Sequence, residues 1–590
     1  MGDYLALSWP PGVPTQAADE MRAELQRDTT WRLAQASYGL VVYVRGRGAP
    51  PVRALAADGG VVVGDLFDRE ATAQGRVADF PLDLMVDLAP VDAAKILTRH
   101  AWGRYVAILR DGHKPPWIYR DPTGALEALT WVRDDVTIIS SDVPAVGRLA
   151  PEGLAIDWAG VGALLGRHNL WSQICPLTGV TAVDAGVLRH WADGETQRLW
   201  RPGDAARAPL RDARPELLAQ VVDASVAALA RDRRAALVEI SGGLDSAIVA
   251  TSLARCGASV AGAINYYWPE PQGDERAWAK AIAERCGFEL SCVQRDILWI
   301  DGDMLMRHAH SPRPGFNAQD PGLDEDLAQR ALALNADALF SGQGGDGVFY
   351  QMAHPALAAD ILAGAPVRGG RAKAMAILAG RARTTVWSLW GRALAPFDPA
   401  SEGAGPPPYL TTAQKPPDHA WIADHRGVSR AKQVQIRGLT NAQNAFGESL
   451  RGRAAGLIYP LMSQPVMEMC LSIPAPLLAI GVVDRPFARA AFQDRLPPQS
   501  LARRSKGAVT QYFAKSVAAS LPALRPFLLE GRLVEQGLIA VEGLEALLDA
   551  EAMIWRDVVG EILLAGYLEA WVRVWEAKLA GRGGPDPRLV

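Results

Sequence analysis

The sequence predicts a two-part α/β protein, in which a layered antiparallel α+β domain precedes a domain built on a parallel sheet with a helical lobe. Three observations indicate this fold class. Short strand-like apolar runs fill the first third of the chain, strands then alternate with helical patterns, and helical patterns dominate from residue 355 onwards. With 590 residues and 49% apolar content, the chain is long enough for two buried cores.

The first domain is predicted over residues 1–205. Its apolar runs are short, and turn sequences such as RDPTG (120–124) and ADGET (192–196) separate them, which favours a layered antiparallel sheet. The predicted strands are GLVVYVRG (39–46), GVVVGDLF (60–67), RYVAILRDG (104–112), WIYRD (117–121) and VTIISSD (136–142).

The second domain is predicted over residues 206–590, after a linker-like Pro/Gly/Ala segment at 200–209. Helical periodicity begins at 215–232, and strands then alternate with helices, which implies a parallel sheet covered on both faces. The strands are predicted at 235–240, 260–268, 290–294 and 336–342, with a helix at 274–287. The helical lobe contains one long Pro/Gly-rich loop at 397–410.

Composition argues against several classes of protein. The near-neutral net charge of −4 gives no electrostatic footprint that would recommend nucleic acid as a partner. No window reaches the ~18 uninterrupted apolar residues of a membrane span, so we expect a soluble, cytoplasmic protein. The five cysteines are scattered, which is typical of reduced, buried thiols, and most of the 18 tryptophans are expected in the core.

The motif SGGLDS at 241–246 carries the strongest functional signal. It lies directly after a predicted strand and before a helix, where glycines allow a tight turn, backbone N–H groups point at one place and the helix dipole favours an anion. It therefore predicts a phosphate cradle. It lacks the internal lysine of GxxxxGK[ST], which disfavours kinases and GTPases. The alternative is an ordinary glycine-rich turn with a capping residue.

Two further segments carry charged residues that suit phosphate chemistry. SGQGGDGVF (341–349) follows the strand ADALF, and SLARRSKGAV (500–509) follows LPP. The ordinary interpretation of the first segment is a glycine-rich turn with a solvated aspartate. That of the second segment is a solvated Arg/Lys run.

SGGxDS resembles the PP-loop of the ATP pyrophosphatases, which cleave ATP between the α and β phosphates. This resemblance implies ATP and Mg²⁺ as cofactors, with Asp245 and Asp346 as the metal ligands. Lys506 would stabilise charge on the reacting phosphorus and, with the two aspartates, make up the catalytic set. The implied nucleotide-binding residues are Ile240, Ser241, Gly242, Gly243, Asp245, Ser246, Asn265, Ser341 and Gly342.

Together the three segments resemble the asparagine synthetase family over nearly the whole chain. GVVVGDLFDR, WGRYVAILRDG and TAVDAGVLR resemble its amidotransferase domain, which implies an Ntn glutaminase fold for residues 1–205. The nucleophilic cysteine of class II glutaminases is replaced by Gly2, and no cysteine occurs before Cys175, so we expect a degenerate glutaminase.

Within that family, the spellings SGQGGDGVF and PLMSQP resemble the lasso peptide cyclases. The resemblance implies adenylation of an Asp or Glu side chain of a leader-cleaved core peptide, followed by attack of its N-terminal amine. Gln343 stands where β-lactam synthetases carry a catalytic tyrosine, and an amide cannot accept that proton. Implied partners are the precursor peptide, a leader-binding protein and a leader peptidase.

Two other functions stay open at this point. One is an ammonia- or amine-dependent synthetase of the asparagine or β-lactam type, which would act on a small acid. The other is a non-catalytic scaffold, against which the retained Asp245, Asp346 and Lys506 argue because clustered charges are costly without a ligand. For a peptide substrate we expect aromatic groups near the active site, with Tyr266, Tyr267 and Trp268 as candidates.

Overall fold

The computed structural model describes residues 3–10, 15–112, 114–210, 212–268, 270, 273–315, 320–397, 407–411, 416–503, 509–555 and 558–582. These residues form three sheets, of which two are antiparallel and lie in the N-terminal part, and one is parallel and lies in the C-terminal part. The mixed α/β prediction is therefore confirmed, including the order of antiparallel sheets before the parallel sheet.

Each antiparallel sheet has six strands. The first has the order β10-β8-β9-β1-β3-β2 and the second β12-β11-β7-β6-β5-β4. The strands of the first sheet are β1 (Asp3–Ser8), β2 (Arg32–Ser37), β3 (Leu40–Arg45), β8 (Leu129–Arg133), β9 (Val136–Ser140) and β10 (Thr181–Ala182). Those of the second are β4 (Val52–Ala54), β5 (Gly60–Asp68), β6 (Ala101–Leu109), β7 (Trp117–Arg120), β11 (Val187–His190) and β12 (Thr196–Arg198).

The alternation of side chains along β1 explains why the two sheets form layers. Tyr4 and Ala6 pack between the sheets, whereas Leu5 and Leu7 face a helical cluster on the other side. The outer face of the second sheet is covered by helix α3 (Pro90–His100). This part of the chain is thus a helix–sheet–sheet–helix arrangement, and it contains more helix than the strand-rich sequence pattern indicated.

The parallel sheet has the order β15-β14-β13-β16-β17. Its strands are β13 (Ala236–Glu239), β14 (Val260–Tyr267), β15 (Leu290–Gln294), β16 (Ala338–Phe340) and β17 (Gly456–Ile458). The first four match the predicted strands. The fifth lies inside the segment predicted as a purely helical lobe, because its three residues are too short a run to register as a strand pattern.

Helices cover both faces of the parallel sheet and build the rest of the molecule. In the N-terminal part they are α1 (Gln16–Arg27), α2 (Arg69–Ala73), α3, α4 (Trp158–Gly166) and α5 (Pro202–Arg207). Around the parallel sheet they are α6 (Pro215–Ala230), α7 (Leu244–Arg255), α8 (Arg276–Cys286), α9 (Gly302–Arg307), α10 (Pro321–Ala333) and α11 (Gly345–Val348). Short 3₁₀ turns occupy Ala56–Asp58, Leu82–Met85, His168–Leu170, Asn444–Phe446 and Pro460–Met462.

The helical lobe follows α11. Its first helices are α12 (Ala356–Leu362), α13 (Arg371–Arg381), α14 (Val386–Leu394), α15 (Ala420–Ala423), α16 (Arg430–Gln443), α17 (Leu450–Ala454), α18 (Gln464–Ser472) and α19 (Ala475–Ala479). Its last are α20 (Pro486–Ala491), α21 (Pro498–Ala502), α22 (Val509–Leu529), α23 (Arg532–Glu535), α24 (Val541–Glu545), α25 (Ala550–Trp555) and α26 (Val559–Leu579).

The N-terminal and C-terminal parts share buried surface. Leu5 and Leu7 belong to the same apolar cluster as Trp571 and Trp575 of α26, and Arg104 of β6 donates to the Leu457 carbonyl of β17 over 2.9 Å. The segment 200–209, predicted as a linker, contains the helix α5, whose Arg207 pairs with Asp424 at 2.8 Å. The junction is therefore packed against the lobe.

The expectation that most tryptophans lie in the core holds only in part. Seven are buried, namely Trp102, Trp131, Trp171, Trp200, Trp421, Trp571 and Trp575, whereas Trp299, Trp387 and Trp390 are exposed. All five cysteines are free thiols, but the expectation that each is buried is wrong, since Cys470 is buried and Cys256 is exposed. In the described residues, no helix combines the length and the apolar character needed to cross a membrane.

Candidate active site

The SGGLDS loop lies at the carboxyl end of β13, the central strand of the parallel sheet, and runs into α7. Gly242 has φ +73°, a conformation that suits glycine, and a Cβ there would meet the Glu275 carbonyl oxygen at 3.0 Å. The hydroxyl groups of Ser241 and Ser246 are 3.1 Å apart, and the Ser246 hydroxyl accepts the Ser241 N–H over 3.2 Å. The loop is thus a folded turn that ends at a helix N-terminus, as the sequence predicts.

The second predicted segment packs directly on the first. A Cβ added to Gly342 would lie 2.4 Å from the Ser246 backbone nitrogen, and one added to Gly345 would lie 2.4 Å from the Asp245 carboxyl carbon. Gly342 lies just beyond β16, the neighbour of β13 in the sheet. The glycines of SGQGGDG therefore allow two loops, distant in sequence, to touch without intervening side chains.

Asp245 and Asp346 converge on one cation, the guanidinium of Arg485. Its Nη1 donates to Asp245 Oδ2 over 2.5 Å and to Asp346 Oδ1 over 2.7 Å, while its Nε donates to Asp484 Oδ2 over 2.8 Å. Arg485 is only 4% exposed. Burial alone would lower the pKa of Arg485, but the surrounding carboxylates outweigh it and raise that pKa. Sequence analysis missed this residue.

Three more arginines surround the loops. Arg503 donates to the Gly242 carbonyl over 2.9 Å and lies over the Trp278 ring at 4.4 Å. Arg489 donates to the Ser500 carbonyl over 3.0 Å, and Arg381 donates to the Gln351 carbonyl over 2.9 Å. These contacts hold backbone segments around the cradle and concentrate positive charge beside it. Arg503 belongs to the charged segment 500–509 that the sequence singles out, whereas no motif marks Arg381 or Arg489, which only their proximity in the fold identifies.

These elements line one cavity of about 770 Å³. A cavity of this volume is in the range typical of small-molecule sites. The predicted residues that line it are Ser241, Gly243, Asp245, Ser246, Ser341, Gly342 and Asp346, and Gln343 lines it as well. Ser500 and Arg503 of the third predicted segment line the cavity as well, so the structure brings the described parts of all three segments into one site.

Two predicted nucleotide-binding residues lie beneath the loop. Ile240 and Asn265 are completely buried, and the Asn265 side-chain amide donates to the Ile240 carbonyl over 2.8 Å. This bond ties the end of β13 to β14. A contact of either residue with adenine or ribose stays a prediction. Lys506 falls outside the described residues, three positions after Arg503, whose side chain contacts the loop.

Glu239 is a second charged residue that sequence analysis missed. It is the last residue of β13 and it lines the cavity. Burial raises the pKa of Glu239. Because it precedes Ile240 and Ser241, alternation along the strand could have indicated that its side chain points towards the site.

The three candidate aromatic residues at the end of β14 have different surroundings. The Tyr266 hydroxyl donates to Asp326 over 2.6 Å, and Tyr267 lies under the Arg276 guanidinium at 3.9 Å. Trp268 stacks on Tyr512 with ring centroids 5.7 Å apart and lines a separate cavity of about 110 Å³. None of the three lines the larger cavity, so their predicted role in holding a substrate is not shown by these contacts.

The residues present fit a divalent cation next to bound phosphates. Asp245 and Asp346 place one carboxylate oxygen each within 2.7 Å of a single cationic atom, so the site already holds a positive charge between them. Oxygen ligands are those that Mg²⁺ prefers. Within the described part of the chain, no cluster of three or more His, Cys, Asp or Glu side chains forms an all-protein metal site. Phosphate oxygens would have to complete the coordination.

Comparison with known proteins gives one assignment. The family model described as asparagine synthase matches residues 217–573, which include the cradle, the second loop and all four cavity arginines. The match covers more than half of the chain. A comparison with curated proteins finds no match.

Proposed function

The chain belongs to the asparagine synthase family, whose members are ATP-dependent ligases, and we propose that it is an AMP-forming amide ligase that closes a macrolactam in a peptide. The observation that carries the proposal is the convergence of the Ser241–Ser246 cradle, Asp245 and Asp346 in one cavity. A strand–turn–helix cradle beside two carboxylates suits a nucleotide triphosphate that carries a divalent cation. The PP-loop and Ntn glutaminase names, and the division at residue 205, are part of this proposal.

In the proposed first step, a carboxylate oxygen of the substrate attacks the α-phosphorus of ATP. The bond from that phosphorus to the bridging oxygen breaks, so pyrophosphate leaves and an acyl-adenylate forms. The cradle hydroxyls and N–H groups would hold the phosphates, and Lys506 would stabilise the charge that develops on the departing pyrophosphate. In the second step an amine nitrogen attacks the acyl carbon, AMP leaves and the nitrogen loses a proton.

Asp245 and Asp346 would hold Mg²⁺, which supplies charge neutralisation of the phosphates when bound. Arg485 now occupies the space between these carboxylates. Arg503 has a separate positioning role, since its bond to the Gly242 carbonyl orients the loop. Asn265 supports the same loop from below through the Ile240 carbonyl.

Three sequence features support a peptide substrate. The spellings SGQGGDGVF and PLMSQP resemble the lasso peptide cyclases, and Gln343, which lines the cavity, cannot accept a proton as a catalytic tyrosinate or carboxylate could. A peptide α-amine has a pKa of about 7.7–8.0 and needs little help to lose its proton. The substrate would be a leader-cleaved core peptide, delivered with a leader-binding protein and a leader peptidase.

The surroundings of Cys175 support the loss of glutaminase activity. It is the first cysteine of the sequence, and its Sγ lies 3.6 Å from the Pro312 carbonyl oxygen at the contact between the two parts of the chain. Burial raises the pKa of the Cys175 thiol to about 12. A thiol of this kind is not the thiolate nucleophile that glutamine hydrolysis requires.

The test is pyrophosphate release from Mg-ATP, with and without the leader-cleaved peptide of a precursor encoded beside this chain, combined with mass spectrometry of the product. We expect peptide-dependent pyrophosphate and a product lighter by one water. Asp245→Asn should abolish both, whereas Asp92→Asn, an exposed aspartate of α3, should change neither. Turnover with small amino acids and ammonia would replace the peptide proposal, and absence of any ATP cleavage would favour a scaffold.

A further inference from the structure

Helix α14 presents apolar side chains on two faces, of which only one is packed. Leu389 and Ala393 are buried against the lobe. Trp387, Trp390 and Leu394 are 81%, 43% and 72% exposed. Positions i, i+3 and i+7 lie on one side of a helix, so these three side chains form a continuous apolar stripe at the surface. Two exposed tryptophans on one short helix exceed what an ordinary surface carries.

The chain segment that carries this stripe has charges of a single sign between Asp360 and Asp398. Residues 361–397 contain six basic residues and no acidic residue, although the whole chain has a net charge of −4. Arg381 is engaged at the nucleotide cavity. The other five are exposed, and none forms an ion pair with another described residue. They are Arg368, Arg371, Lys373, Arg383 and Arg392.

The fold brings the two features together. Only residues 382–385 connect α13 to α14, so the two helices pack beside each other and against α12. Arg383 lies in the connection, four positions before Trp387, whereas Arg392 lies on the opposite side of α14 from the apolar stripe. We call Arg368, Arg371, Lys373 and Arg383, together with the three apolar residues of α14, the basic tryptophan surface.

We propose that the basic tryptophan surface docks the protein on an anionic lipid bilayer. The indole rings and Leu394 would enter the headgroup region, and the basic side chains would bind lipid phosphates. Exposed aromatic rings on a helix, next to a segment whose exposed charges are all basic, match the chemistry of an anionic membrane surface. Protein interfaces instead concentrate aromatic groups in a core depleted of charge. The proposal does not depend on the substrate of the ligase.

The experiment is flotation of the full chain with vesicles of phosphatidylcholine alone or with about one third phosphatidylglycerol. We expect binding to the anionic vesicles at low salt, with about tenfold or greater weakening on pure phosphatidylcholine or at high salt. The double variant Trp387→Ser/Trp390→Ser should weaken binding about tenfold. The double variant Lys373→Ser/Arg383→Ser should weaken it about 25-fold, about fivefold for each charge.

Matched controls are available on other surfaces. Trp299 is 50% exposed between β15 and α9, so Trp299→Ser removes an exposed tryptophan elsewhere. The pair Lys114→Ser/Arg255→Ser removes two basic side chains that are each 71% exposed. Both controls should bind vesicles as the parent does, and every variant should unfold at the parent temperature and retain its pyrophosphate release, because none of these side chains lines the nucleotide cavity.

Three outcomes would overturn the proposal. The first is absence of binding to anionic vesicles, and the second is equal weakening by test and control variants. The third is a protein that does not bind vesicles but does bind a soluble acidic polymer such as polyglutamate, if the Trp387/Trp390 variant loses that binding. That last result would assign the surface to an acidic protein partner.

Discussion

Replacement of Arg485 by leucine should destabilise the protein in a way that Mg²⁺ reverses. The arginine is buried, and it bridges Asp245, Asp346 and Asp484 through Nη1 and Nε at 2.5, 2.7 and 2.8 Å. Leucine keeps much of the apolar volume and removes the charge. The three carboxylates would then repel each other in a partly desolvated site, which is unfavourable for the folded state at neutral pH.

The magnitude depends on the burial of each carboxylate. The Asp245 side chain is 11% exposed, so loss of its bond to Arg485 should cost about 3–5 kcal/mol. Asp484 keeps its ion pair with Arg489 at 2.7 Å, so it should add little to this cost. Asp346 is 43% exposed, so solvent screens its pair, which should contribute less than about 1 kcal/mol. We therefore expect a free energy of unfolding lower by about 3–5 kcal/mol.

The assay is denaturant unfolding at neutral pH with EDTA or with Mg²⁺, without nucleotide. A cation that binds between the exposed carboxylates should stabilise the variant, by about 2.7 kcal/mol at a hundredfold excess over its Kd, and should stabilise the parent much less because Arg485 occupies that position. The control is Arg532→Leu, because Arg532 also bridges two carboxylates, Glu535 and Glu576, but on another surface. Parent-like stability of Arg485→Leu in EDTA, or stabilisation by Mg²⁺ that is equal in all three proteins, would refute the reasoning.

Two further predictions concern a glycine contact and a buried lysine. Gly342→Ala should reduce pyrophosphate release by about 100-fold or more, because its Cβ would lie 2.4 Å from the Ser246 nitrogen and displace the Ser241–Ser246 loop. In the control Gly380→Ala the new Cβ meets no atom within 4 Å, so activity should stay unchanged and α13 should be stabilised by about 0.5–1 kcal/mol. Similar activity of the two variants would contradict the packing of the loops. Burial lowers the pKa of Lys432 from 10.5 to about 7. Between these two pH values the unfolded chain carries a proton on Lys432 that the folded chain lacks, so the free energy of unfolding should rise with pH across this range. The rise should be on the order of 4 kcal/mol, measured by urea unfolding at pH 7 and pH 10, and Lys432→Met should remove it. If the variant showed the same pH dependence as the parent, Lys432 would not be the source of the rise.

The parts of the site that depend on local backbone chemistry could be predicted. Ser241–Ser246 follows a strand, contains glycines and begins a helix. Each of these properties depends only on residues that are close together in the sequence. The same holds for the strands of the parallel sheet, which are apolar runs bounded by turn residues. β17 was missed because three residues carry too little pattern, and its place beside β16 depends on a distant partner.

Arg485 shows where such prediction fails. It contacts Asp245 across 240 positions of sequence and Asp346 across 139, and nothing in the surrounding residues VVDRPF distinguishes it from a solvated arginine. Its φ of +50° is likewise a consequence of the fold. The same applies to Arg381 and Arg489, whose roles arise only when α13 and α20 meet around the loops.

Local patterns in the sequence predicted the fold class, a glycine-rich turn at Ser241–Ser246 that opens a helix, and a second acidic loop, because strand periodicity, glycine turns and helix starts are encoded within a few residues. Only the packed structure shows which charges face each other across the cavity, how closely Gly342 approaches Ser246, and that the indole rings of α14 lie at the surface. These properties depend on contacts between segments that are far apart in the chain. Such contacts are set by the packing of whole elements, which no local pattern specifies.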